Sequence, residues 1–211
     1  MANSLHIPEP VALSRPRDAH RFEAFSPKLA RRVMFYRRPL IDQWLLLETN
    51  PKVIAFCERP GYVIVNGSRR LADFWVQYFG LRELVILIES DLDRSMAGSP
   101  CVCKDNELVI RFVAPAELAA ARIWLDNWQQ MLPCLVTNVG LVPSTLSSTI
   151  VQFLKQAHRL LDIEREFSSI DPALVRAALF GLLHEGRVSS CELQTQPLSL
   201  LTPFVAAEET L

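Results

Sequence analysis

The run Leu84-Val85-Ile86-Leu87-Ile88 has no polar side chain to turn toward water. An unbroken apolar run of this length reads as a β-strand covered on both faces, so it must lie inside a layered fold. The residues before it supply its neighbours. Asn66-Gly67 lies between Tyr62–Val65 and a second stretch read as one strand, Arg70–Tyr78. Both turn residues tolerate the positive φ of a two-residue hairpin turn. The segment therefore reads as two strands joined by a tight turn, then a buried third. Asp73 falls inside the second strand and Glu89 closes the third. An acid in such a position is costly unless a cation or hydrogen-bond donor meets it. Two such acids on adjacent strands can share one metal ion.

The chain has 211 residues, 50% hydrophobic and 21% charged, which suits one or two domains with a real core. The net charge is -1, but it is unevenly spread. The chain through Leu40 carries a net +5, including Arg31, Arg32, Arg37 and Arg38, and the rest is net acidic. A basic arm of this kind meets nucleic acid or an acidic partner, or is simply solvated. The five cysteines are odd in number and irregular in spacing, so no secreted disulfide framework is implied. Cys101-x-Cys103 lacks the second ligand pair of a zinc site, so reduced thiols are expected. Met1–Pro10 lacks the apolar core of a signal peptide, and no apolar run reaches the ~18 residues of a membrane span. A cytoplasmic protein without a membrane segment is expected.

Three blocks are expected along the chain. Residues 1–27 read as a basic, mostly extended arm. Residues 28–138 hold a helix over Pro39–Glu48, a strand at Val53–Cys57, the hairpin, and the buried strand. A further strand follows at Leu108–Val113, then one long helix from Pro115 to about Leu132. Residues 139–211 begin with one or two helices over Ser144–Leu161. Next comes a helix capped by Asp171, opened by Pro172 and stopped by Gly186. A candidate hairpin at Arg187–Cys191 and Leu198–Phe204 completes the order of a winged helix-turn-helix. The fold class is thus α/β: a mixed sheet flanked by helices, followed by a small winged-helix-like α+β domain.

Metal-dependent phosphodiester hydrolysis needs carboxylates for a hard cation and, usually, a lysine two residues beyond the second acid on the same strand face. Several stretches bear on this: Leu45-Leu46-Leu47-Glu48-Thr49-Asn50-Pro51-Lys52-Val53, Glu58-Arg59-Pro60, Leu71-Ala72-Asp73-Phe74 and Leu87-Ile88-Glu89-Ser90-Asp91. Together they resemble the TnsA-type transposon endonucleases of the restriction-endonuclease-like PD-(D/E)xK superfamily. The resemblance covers about a quarter of the chain. It implies a restriction-endonuclease-like fold, with Asp73 and Glu89 holding Mg²⁺ or Mn²⁺ and Asp42 as the helical acid. It also implies DNA as a partner, together with a DDE-type transposase and an AAA+ ATPase regulator.

The departures carry information. Arg59 stands for the family glutamine and Ala72 for the proline. Asp91 stands where the family lysine belongs. A carboxylate there cannot supply positive charge to the attacking water or the scissile phosphate. Asp91 can instead add an oxygen ligand, a nearby basic residue such as Arg69 or Arg70 can replace the lysine, or the site is inactive. Arg31, Arg32, Arg37, Arg38, Arg69 and Arg70 are the candidate DNA contacts. The alternative is a non-enzymatic winged-helix DNA-binding or adaptor protein. Asp73 pairing with Arg69 or Arg70 would be its purely structural explanation.

Overall fold

The computed structural model describes residues 7–65, 67–88, 101–103 and 108–207. The chain divides into two compact units: Met1–Glu48 with Lys52–Ala120, and Thr49–Pro51 with Ala121–Leu211. The division falls ahead of residue 139, where the sequence places it.

The first unit opens with a hairpin, β1 (Phe22–Ser26) and β2 (Arg31–Phe35), in register from Phe22↔Phe35 to Ser26↔Arg31. Strand β1 occupies the end of the segment 1–27. The turn lacks glycine, and Ala30 takes φ 51°. Buried Ser26 anchors it, donating from Oγ to Glu48 Oε2 while accepting from the Leu29 amide at 3.2 Å. Glu48 also accepts from the Lys28 amide at 3.0 Å. Helix α1 (Arg38–Glu48) starts with Pro39 in its first turn and buries Trp44, Leu45 and Leu47. Phe35 joins it to the sheet, with ring centroids 6.1 Å from Trp44 and 5.9 Å from Phe74.

The central sheet is mixed. Its strands are β3 (Ala55–Glu58), β6 (Phe74–Tyr78), β7 (Leu81–Leu87), β8 (Cys101–Cys103) and β9 (Leu108–Val113), in the order β3-β6-β7-β9-β8. The pairs β3–β6, β6–β7 and β8–β9 are antiparallel, and β7–β9 is parallel. The apolar run lies in β7 and just beyond it, and Leu84–Ile88 are all buried. One sheet face presents Ala55, Cys57, Trp75, Leu84, Ile86, Ile110 and Phe112. Val63 and Val65 pack against that cluster. They belong to a separate hairpin, β4 (Tyr62–Val65) and β5 (Ser68–Leu71), paired from Tyr62↔Leu71 to Val65↔Ser68.

This corrects the single strand expected over Arg70–Tyr78. The chain leaves the hairpin at Leu71 and enters the central sheet at Phe74, with Ala72-Asp73 as the crossing. Asp73 thus sits at a break between strands, not inside one. Helix α2 (Pro115–Ala120) closes the unit. The single long helix expected from Pro115 is interrupted at Ala121, although no glycine or proline marks the break.

The second unit contains α3 (Arg122–Thr137), α4 (Ser144–Phe153), β10 (His158–Arg159), α5 (Leu160–Glu166), α6 (Pro172–His184), β11 (Val188–Ser189) and β12 (Pro203–Ala206). The three short strands form an antiparallel sheet in the order β10-β12-β11. Helix α3 buries Leu125, Trp128, Met131, Leu132 and Leu135 at helical spacing and packs on α6. Buried Asn127 holds the chain near the end of this unit. It donates to Leu193 O and Gln196 O, both at 2.8 Å, and accepts from the Leu198 amide at 2.7 Å. Among the described residues, no helix is long and apolar enough to cross a membrane.

Helix α6 begins and ends as its sequence dictates. Asp171 accepts from the Ala173 amide at 2.8 Å. Gly186 takes φ +75°, and a Cβ there would lie 2.6 Å from Pro51 Cβ. Asp171→Ala is expected to cost about 1 kcal/mol. Gly186→Ala, which adds left-handed backbone strain and a contact with a rigid ring, is expected to cost more. Urea unfolding of the two variants checks that order.

Candidate functional site

Asp73 is where the layers of the first unit are tied together. Its amide donates to Val85 O at 3.0 Å, and its carbonyl accepts from the Arg59 amide at 2.8 Å. The antiparallel register of β6 with β7 ends at Phe74↔Val85. Beyond it, the Leu87 amide donates to Asp73 Oδ2 at 2.7 Å. The side chain thus takes over the ladder where the β6 backbone stops. Arg37 Nη2 donates to Oδ1 at 3.1 Å from the short connection between β2 and α1.

The electrostatics are unbalanced. The Asp73 side chain is 13% exposed and Arg37 is 43% exposed. Burial raises the Asp73 carboxyl above the ordinary aspartate range; the Leu87 amide, Arg37 and Arg70 pull it back only in part. Of the partners expected, Arg70 acts on Asp73 through its charge. Arg37, distant in sequence, makes the contact, whereas Arg69 stacks its guanidinium 4.1 Å from the Tyr62 ring centroid.

The remaining candidates are dispersed. Asp42, buried on α1, accepts from Arg38 Nε at 2.9 Å one helical turn away. Arg38 is therefore paired within its own helix. Arg31 forms a bidentate pair with buried Glu58, at 2.7 and 2.6 Å, and so belongs to the fold rather than to an open surface. Arg32 and Arg70 lie at the surface and partly buried, respectively. Glu89 and Asp91 lie outside the described residues. Among the described residues, no group of three or more His, Cys, Asp or Glu is placed to hold a metal.

Two buried acids escaped the sequence reading as structural centres. Glu58 ends β3 directly before Arg59, whose φ is 50°. The Arg59 guanidinium donates to Met34 O at 2.9 Å and Val11 O at 3.1 Å. Glu48 fixes the first turn. An acid closing an apolar stretch, as Glu58 closes Ala55–Cys57, was the available signal. Cys57 beside it is no nucleophile: burial, then the Glu58 charge, pushes its thiol up to about 11.

The Asp73 carboxylate keeps lone pairs beyond its two hydrogen bonds, and it is a hard oxygen donor short of positive charge. Its chemistry is that of a ligand for a hard divalent cation such as Mg²⁺ or Mn²⁺. No family model matches the chain, and no curated protein matches it.

The raised pKa sets a pH dependence. A carboxyl held above its unfolded pKa binds its proton more tightly when folded. Its contribution to stability is fully present below the unfolded pKa and is lost as pH rises through the folded one. At neutral pH the ionised Asp73 works against the fold. Asp73→Asn, which keeps an acceptor for the Leu87 amide, is expected to raise the urea midpoint at pH 7. The gain should shrink toward about pH 4. An unchanged midpoint at pH 7 would contradict this.

Proposed function

We propose that this protein is a DNA-binding subunit of a transposition complex, built on a TnsA-like, restriction-endonuclease-like domain whose cleavage is weak. One observation carries the reading. A helix is followed by three antiparallel strands, β3, β6 and β7, and a parallel fourth, β9, with a desolvated aspartate at the entry to the second and bonded to the third. This arrangement presents a carboxylate at a strand end, bonded to the Leu87 amide two residues before Glu89 in sequence.

Asp73 and Glu89 are the residues to hold Mg²⁺ or Mn²⁺, with Asp42 a helical acid already paired to Arg38. The chemistry that ion supplies when bound is polarisation of a phosphoryl oxygen and of water. Asp73 contributes charge and a fixed direction, because Leu87 and Arg37 hold both its oxygens. Arg37 and Arg70, whose charges act on Asp73, attract the phosphate backbone. Asp91 supplies no cation where one is needed, so water activation is the deficient step.

The second unit has the element order of a winged helix, α4-β10-α5-α6-β11-β12, which supports the corresponding part of the reading. Its α6 would be the recognition helix, yet Val175, Ala177 to Phe180, Leu182 and Leu183 are buried. A helix so covered offers few cations to phosphate, which argues against DNA reading by this unit. Docking to a partner, such as the DDE-type transposase or AAA+ regulator of the same element, suits it better.

A plasmid-nicking assay with Mg²⁺ or Mn²⁺ tests the reading. Wild-type nicking is expected to be near background. Asp91→Lys should raise it by about tenfold or more, and adding Asp73→Ala should remove the gain. Robust wild-type nicking that survives Asp73→Ala would overturn the assignment.

A further inference from the structure

The β4–β5 hairpin pairs only with itself among the described residues, and its two faces differ. Val63 and Val65 turn inward onto the central sheet. Tyr62 and Ile64 turn outward and are 50% and 67% exposed. The register sets Ile64 opposite Arg69 and Tyr62 opposite Leu71, so the strand alternation puts all four on the outer face. Arg69 lies over the Tyr62 ring, so its charge is held close to that face. Folding gains nothing from exposing this apolar pair. No acidic residue occurs between Arg59 and Ala72, so the outer face carries the positive charge of Arg69 with no acid in the hairpin to offset it, which complements a polyanion.

The hairpin is also fixed relative to Asp73. Ala72 is the sole residue between β5 and Asp73, and its amide donates to Gly61 O at 2.9 Å, closing the base of the hairpin. The flanking amides of Arg59 and Asp73 are bonded to Asp73 O and Val85 O. An outward face carrying aromatic, aliphatic and cationic groups is therefore held at a set distance from the carboxylate.

We propose that the outer face of the β4–β5 hairpin is a duplex-DNA contact. The two-stranded ribbon lies in the major groove, which admits such a ribbon. Arg69 meets a phosphate, while Tyr62 and Ile64 pack on sugar and base edges. This rests on the reading of the first unit as DNA-binding and extends it: the hairpin positions the duplex beside Asp73, independently of whether cleavage follows.

Fluorescence anisotropy of the full chain with a labelled duplex, over a series of salt concentrations with EDTA present, tests the proposal. The variants are Arg69→Ala, Tyr62→Ala and Ile64→Thr, the last keeping a β-branched strand former. Arg69→Ala is expected to weaken binding several-fold and to reduce the salt slope by about 1. Tyr62→Ala and Ile64→Thr should each weaken binding several-fold with the slope unchanged. Thermal midpoints close to wild type identify these losses as contact losses. If the wild type binds DNA and all three variants bind equally well, the hairpin proposal falls and the DNA-binding reading stands. If the wild type binds no duplex, both fall. Concentration-dependent self-association that Ile64→Thr removes, with DNA affinity unchanged, assigns the face to a second copy and also overturns the proposal.

Discussion

One residue, Asp73, joins what would otherwise be separate layers. Its backbone links the end of β3, through Arg59, to β7, through Val85. Its side chain extends that link to Leu87 and to Arg37 before α1. The chain must change sheets at this point, because the hairpin lies on the face of the sheet that β6 enters. Breaking a strand leaves amides without ladder partners. A short acceptor side chain at the break meets one of them, and a carboxylate does so strongly. The same requirement places a negative charge in a poorly solvated position.

Glu58, Glu48 and Asp73 in the first unit are met in different ways. Glu58 is matched by the two-pronged guanidinium of Arg31. Glu48 is matched by a hydroxyl and an amide at a hairpin turn. Burial raises the Asp73 carboxyl above the ordinary aspartate range, and its partner Arg37 remains substantially in water. An acid left short of charge compensation is where a cation gains most. That contrast, rather than the presence of an acid, is what supports the proposal of a site at Asp73.

Features governed by local chemistry were legible in the sequence. Asp171, Pro172 and Gly186 bound α6, because caps and positive φ act within one turn. The strand Leu108–Val113 has the expected limits. The hairpin register follows from its two-residue turn, Gly67 having φ +75°. Features governed by long-range packing were not legible. The stretch Arg70–Tyr78 looks uniform because both halves are strand formers, and only the change of layer breaks it at Asp73. Arg37 pairs with Asp73 across a sequence separation of 36, while nearer Arg69 is drawn to an aromatic ring. The β1–β2 turn carries no glycine; Ala30 takes its left-handed conformation where Ser26 and Glu48 hold the turn. The dispersal of Arg31 and Arg38 into ion pairs likewise depends on which acids the fold buries.

The titration of the Asp73 carboxyl carbon by ¹³C NMR, with and without Mg²⁺, addresses the central claim directly. Expected is a pKa above the ordinary aspartate range in the free protein, falling when Mg²⁺ is added. An ordinary pKa that Mg²⁺ leaves unmoved would show a satisfied structural aspartate and contradict the assignment of a metal-holding site.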